Sequence, residues 1–147
     1  MACPYFYPQK RFADKGKHPR LPLGDPYEGL CMADPMRSWR PEESVLRESC
    51  NLGYARGKCE RFPAGAGPDA IRFSVTGDQN GLLKIFYVSE QNHKAVEYGT
   101  LEYSVEEGKL LNAGTNELLH GQVQAYVESY LRRQREPEEL AKNPHRR

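Results

Sequence analysis

The four cysteines of this 147-residue chain, Cys3, Cys31, Cys50 and Cys59, all fall in its first 59 residues. The 88 residues that follow contain none. The segment that carries them is poorly suited to folding by burial alone. Residues 1–63 hold 8 of the 11 prolines and show no sustained apolar period. The run Pro19-Arg-Leu-Pro-Leu-Gly-Asp-Pro26 must be extended or turned, because each proline fixes φ and restrains its predecessor. Something other than an apolar core is needed to order this segment, and four thiolates can complete the shell of one metal centre.

The spacing, Cys3-x27-Cys31-x18-Cys50-x8-Cys59, contains no Cys-x2-Cys knuckle. Short knuckles suit a single zinc ion, whereas four distant cysteines suit a bulkier centre that takes one thiolate per iron. The pattern therefore predicts Cys3, Cys31, Cys50 and Cys59 as ligands of a [4Fe–4S] cluster, with zinc as the alternative. Pro4 follows Cys3, Gly29 precedes Cys31 by two residues, and Gly57 precedes Cys59 by two, so the ligand loops combine rigidity with close backbone approach. Tyr5, Phe6, Tyr7, Tyr27, Trp39, Tyr54 and Phe62 are available as an apolar sheath. Arg11, Arg20, Arg56, Lys58 and Arg61 are available to offset the negative charge of a thiolate-ligated cluster. The supporting residues singled out around the ligands are Tyr5, Tyr27, Tyr54, Arg56 and Arg61. Two disulfides, buried free thiols and a Cys59 nucleophile with His93 as base are the competing readings. No local catalytic signature accompanies the last, and a non-enzymatic protein is expected.

The rest of the chain has a different texture. Pro63-Ala-Gly-Ala-Gly-Pro68 is the natural joint. After it Ile71, Phe73 and Val75 alternate with polar residues, Asn80-Gly81 is a hairpin signal, and Leu82–Ser89 and Ala95–Val105 complete a three-stranded antiparallel meander, with Glu107-Gly108 turning afterwards. Gly99 is a candidate bulge. A helix is expected from Thr115 or Asn116 to about Arg135, with Leu119, Val123, Tyr126, Val127, Tyr130 and Leu131 as its apolar stripe. A shorter helix is expected after Pro41, with Cys50 in its last turn and Gly53 as its left-handed stop. The fold class is thus α+β. An irregular, cysteine-rich metal-binding lobe (1–63) packs on an antiparallel sheet plus helix (68–135), and a flexible polar tail follows (136–147).

Net charge is +1, split as +3 over residues 1–63 and −2 over 64–147, so neither half carries a strong field. Arg132, Arg133, Arg135, Lys142, Arg146 and Arg147 make the C-terminal end basic, but no nucleic-acid reader motif accompanies them. His18, His93, His120 and His145 are scattered and read as loop or helix-surface residues rather than ligands. The N-terminus lacks a signal-peptide pattern and no apolar run reaches the about 20 residues of a membrane span, which predicts a cytoplasmic, membrane-free protein. The functional expectation is a small electron carrier or redox subunit of a larger complex with a protein partner. The alternative is a metal-stapled interaction module for protein or nucleic acid.

Overall fold

The computed structural model describes residues 2–12, 22–34, 36–65, 67–111 and 116–142, with side chains described as far as residue 134. His18, Arg20, Thr115, His145, Arg146, Arg147 and the first part of the Pro19–Pro26 run lie outside the described residues. The architecture is α+β: two antiparallel sheets and a C-terminal helix.

The larger sheet has the order β3-β4-β5-β6, with β3 Ala70–Gln79, β4 Leu82–Gln91, β5 Lys94–Ser104 and β6 Lys109–Leu110; β6 is one strand more than expected and, at two residues, too short to show a period. The β3–β4 turn is the expected Asn80-Gly81, both residues at positive φ. The β4–β5 turn is Asn92-His93, again with both at positive φ. Tertiary contacts hold that second turn in place. The Asn92 amide donates to Asp69 Oδ2, the His93 amide donates to Tyr54 Oη, and the two rings stack at 4.4 Å. Gly99 is not a bulge. It sits in regular register opposite Tyr87, whose ring would lie 2.9 Å from an added Cβ, and the register shifts instead at Ser89/Glu90.

Helix α2, Glu117–Lys142, starts where Asn116 Oδ1 caps the Leu119 amide. It continues beyond the predicted end near Arg135, through a segment of strong helix formers on either side of Pro137. Its apolar stripe closes the sheet. Val123 and Val127 are fully buried with Leu83 and Ile85, and Phe73 meets the Tyr126 ring at 5.6 Å. The same core includes Ala2, Cys3, Phe6, Leu23, Tyr27, Leu46 and Cys50.

The N-terminal segment contains a ribbon that periodicity does not reveal. β1 (Phe6–Arg11) pairs antiparallel with β2 (Tyr27–Cys31). The strands are short, Pro8 interrupts one, and their pairing is non-local, so no alternation builds up along the sequence. Gly29 is required here: an added Cβ would lie 2.0 Å from the Tyr7 carbonyl oxygen and 2.9 Å from Pro8 Cα. Neither backbone atom can retreat without opening the ribbon. Gly29→Ala is therefore expected to destabilise the fold by about 3 kcal/mol, read as a lower urea midpoint.

Farther along, Glu43–Val45 forms one helical turn, α1, which runs into a π-type turn at Leu46–Cys50. A single α-helix was the expectation. The Leu46 carbonyl accepts both the Asn51 amide and Asn51 Nδ2, and that competition widens the last turn. Gly53 (φ 79°) ends the element, as predicted.

A second tie joins the segments. Arg132 Nη2 donates to Asp25 Oδ1 at 2.5 Å, and Arg133 donates to the Gly24 carbonyl. Burial pushes the Asp25 carboxyl up, but hydrogen bonds from Arg132 and Ser129, with the charges of Arg132 and Arg133, outweigh it and hold the group below its ordinary value. A depressed folded pKa contributes stability above the unfolded carboxylate range and loses it as pH falls through the folded value. Between about pH 6 and about pH 3, wild type should therefore lose more stability than Asp25→Asn, measured by urea titration at each pH.

Candidate cysteine centre

The four cysteines arrive from four separate stretches of chain, and main-chain bonds knit those stretches together. The Cys3 amide donates to the Cys50 carbonyl at 3.0 Å. Cys31 stands opposite Phe6 at the end of the ribbon and exchanges two backbone bonds with Trp39, at 2.7 and 3.1 Å. The Cys59 amide donates to the Ala55 carbonyl, and the Phe62 amide donates back to the Cys59 carbonyl. Ala2 bridges to Ile71 and so anchors the first cysteine to β3 of the large sheet.

All four cysteines line one cavity, closely packed in this structure, with a free volume of about 20 Å³. Its remaining wall is mostly apolar: Tyr5, Phe6, Ala33, Trp39, Ala55 and Phe62, with Ser49 and Arg61. Tyr5 meets Phe62 edge-on at 5.5 Å, and the Arg61 guanidinium lies 4.1 Å over the Trp39 ring. Cys3 and Cys50 are buried, while Cys31 and Cys59 are half-buried and unpaired by any disulfide. Among the described residues, no group of three or more His, Cys, Asp or Glu is arranged to hold a metal ion.

The electrostatics follow from that enclosure. Burial pushes the Cys3 thiol up to about 12; the amides of Tyr5 and Phe6, hydrogen-bonded to its sulfur, work the other way, and the charges of Cys31 and Cys59 add to the rise. Burial likewise pushes Cys50 up to about 12, helped by the charges of Cys3, Cys31 and Cys59. The polypeptide alone thus keeps both inner thiols protonated at neutral pH and makes them poor nucleophiles. Only a strong positive charge inside the cavity would turn them into thiolates.

Of the supporting residues picked from sequence, Tyr5 and Arg61 line the cavity. The other three do not. Arg56 lies one ring away, 4.7 Å over Phe62, and is bound to Asp69 at 2.8 Å. Tyr54 donates to Glu90 at 2.7 Å. Tyr27 joins the Ala125 carbonyl and Ser129 of helix α2. Tyr7 and His120 border a separate groove between β1 and α2. His93 is stacked on Tyr54 and is not among the cavity residues, so the arrangement does not supply Cys59 with the base considered above.

Two residues absent from the sequence reading organise the site from behind. Asn51, next to Cys50, is 1% exposed and mimics a strand neighbour for Tyr27: its Oδ1 accepts the Tyr27 amide while Nδ2 donates to the Tyr27 and Leu46 carbonyls. Gln122 of helix α2, also 1% exposed, donates to the carbonyls of Cys3 and Phe6. The available signal was its place on the buried stripe, between Leu119 and Val123, where a polar side chain needs a partner.

Beyond Cys59 and Trp39 a groove of about 880 Å³ opens to solvent, bordered also by Val45, Leu52, Glu42, Glu48 and Glu60. No helix among the described residues is long and apolar enough to cross a membrane. The chain matches no protein-family model, and no curated protein or solved structure matches it significantly.

Proposed function

We propose that Cys3, Cys31, Cys50 and Cys59 hold one [4Fe–4S] cluster, and that the protein acts as a one-electron carrier or as the redox subunit of a larger assembly. One observation carries this reading: four cysteines from four distant stretches face a single apolar cavity. The chain's own groups suit a cluster in three ways. Four cysteines give each iron of a cubane one thiolate, with no knuckle drawing a pair onto a single ion. The Tyr5 and Phe6 amides hydrogen-bond the Cys3 sulfur, an interaction that tunes cluster potential. The rings of Tyr5, Phe6, Trp39 and Phe62 limit water, and Arg61 sets a cation against the negative centre.

When bound, such a cluster supplies one-electron transfer. Cys3, Cys31, Cys50 and Cys59 would together give each iron a cysteine and leave no position open to substrate, which favours transfer over Lewis-acid catalysis. Cys59 borders both the cavity and the outer groove, giving electrons a short way out on that side.

Anaerobic purification with a visible spectrum and metal analysis tests the proposal. Broad absorbance near about 400 nm and about four irons per chain are expected. One zinc and no colour would replace the reading with a structural staple supporting an interaction surface for protein or nucleic acid.

A further inference from the structure

Gln122 lies 119 residues from Cys3 in sequence, yet its amide nitrogen makes two 2.8 Å hydrogen bonds, to the carbonyls of Cys3 and Phe6. Two carbonyl acceptors fix the amide's orientation, since only the NH₂ end can donate. Both acceptors belong to one tight turn, closed by the Phe6 amide donating to the Cys3 carbonyl at 3.1 Å. The Tyr5 amide of that turn hydrogen-bonds the Cys3 sulfur, and the Phe6 amide, shared with the Cys3 carbonyl, does so more weakly. Gln122 therefore clamps the outside of a loop whose inner face holds a ligand atom.

The clamp is costly to bury. Gln122 Oε1 has no hydrogen-bond partner among the described residues, so half of the amide's capacity goes unmet in a closed interior. Such a group is tolerated where the bonds at its other end matter. Neighbouring stripe positions are occupied by Leu119, Val123 and Tyr126, and burial alone would favour an apolar side chain at 122.

We infer that Gln122 is a positioning residue for the cysteine centre, setting the geometry at Cys3 from helix α2 and linking that helix to the loaded state of the cluster. This rests on the cluster reading above. By linkage, a centre that orders the Cys3–Phe6 turn also strengthens the helix's hold on it, and the helix favours loading in return. Loss of the clamp loosens the turn and weakens the amide bonds to sulfur. A bound cluster would then lose part of what stabilises its thiolate charge, most of all when reduced.

The test compares anaerobically purified wild type with Gln122→Met, which keeps the volume and removes both donors, and with Gln124→Met as a control on the opposite side of the stripe. Gln122→Met is expected to retain iron, to shift its midpoint potential to more negative values, and to release iron to a chelator about tenfold or more faster. Gln124→Met should match wild type in both. An iron-loaded Gln122→Met with unchanged potential and release rate overturns the inference and leaves the cluster reading intact. Wild type that holds no iron overturns both. Should Gln122→Met fail to fold, hydrogen exchange on the unsubstituted chain decides: amides at 119–127 should exchange more slowly in the loaded than in the chelated protein. Equal exchange in the two states overturns the link.

Discussion

Cys31→Ser should abolish the colour of the anaerobically purified protein and leave residues 1–63 without fixed structure, while the large sheet and α2 persist. A serine oxygen is a poorer ligand for iron than a thiolate, and four cysteines make up the ligand set of a [4Fe–4S] cluster. The substitution isolates the centre because Cys31 holds its place through the main chain. Its bonds with Trp39 and its pairing with Phe6 use backbone atoms that serine also supplies. Any disorder that follows reports the missing centre rather than a broken ladder. The body should survive, since β3, β4 and β5 pair over most of their lengths and Leu83, Ile85, Val123 and Val127 are fully buried between the sheet and helix α2, in a core that Cys31 does not join. Iron analysis and amide NMR spectra check both halves of the prediction. Full iron occupancy in the variant would remove Cys31 from the ligand set.

Asn51→Leu should be the most damaging substitution outside the cysteines. It removes three buried hydrogen bonds and strands the Tyr27 amide, the Tyr27 carbonyl and one bond to the Leu46 carbonyl in a closed interior. Leaving such groups unmet costs about 1–3 kcal/mol each, so a total near 4 kcal/mol is expected. That is a large share of the roughly 5–15 kcal/mol that holds a domain together. The effect should reach the centre, because Asn51 adjoins Cys50 and fixes the turn that presents it. Denaturant melts of the metal-free protein separate the structural loss from any loss of binding. An unchanged midpoint would contradict the role given to Asn51.

The large sheet was legible in the sequence because its contacts are local. Ile71, Phe73 and Val75 alternate, Asn80-Gly81 turns the chain, and consecutive strands pair, so pattern and fold coincide. Helix α2 was legible through its stripe for the same reason. The ribbon was not. β1 and β2 find each other across a long connection, and Pro8 and Gly29 hide the strand character of each. The π-type turn escaped because it depends on one side chain, Asn51, bonding a carbonyl five residues back. At the site, sequence could nominate the cysteines, Tyr5 and Arg61, whose chemistry is explicit. It also nominated Tyr27, Tyr54 and Arg56, which lie outside the cavity lining, because composition carries no direction. It passed over Gln122, whose partner lies at the far end of the chain.

The central claim is that four remote sulfurs meet at a single inorganic centre, and iron X-ray absorption on the anaerobically isolated protein tests it most directly. The account predicts a first shell made only of sulfur, with iron neighbours beyond it. Nitrogen or oxygen in that shell, or a protein without iron whose cysteines are joined in S–S pairs, would contradict it.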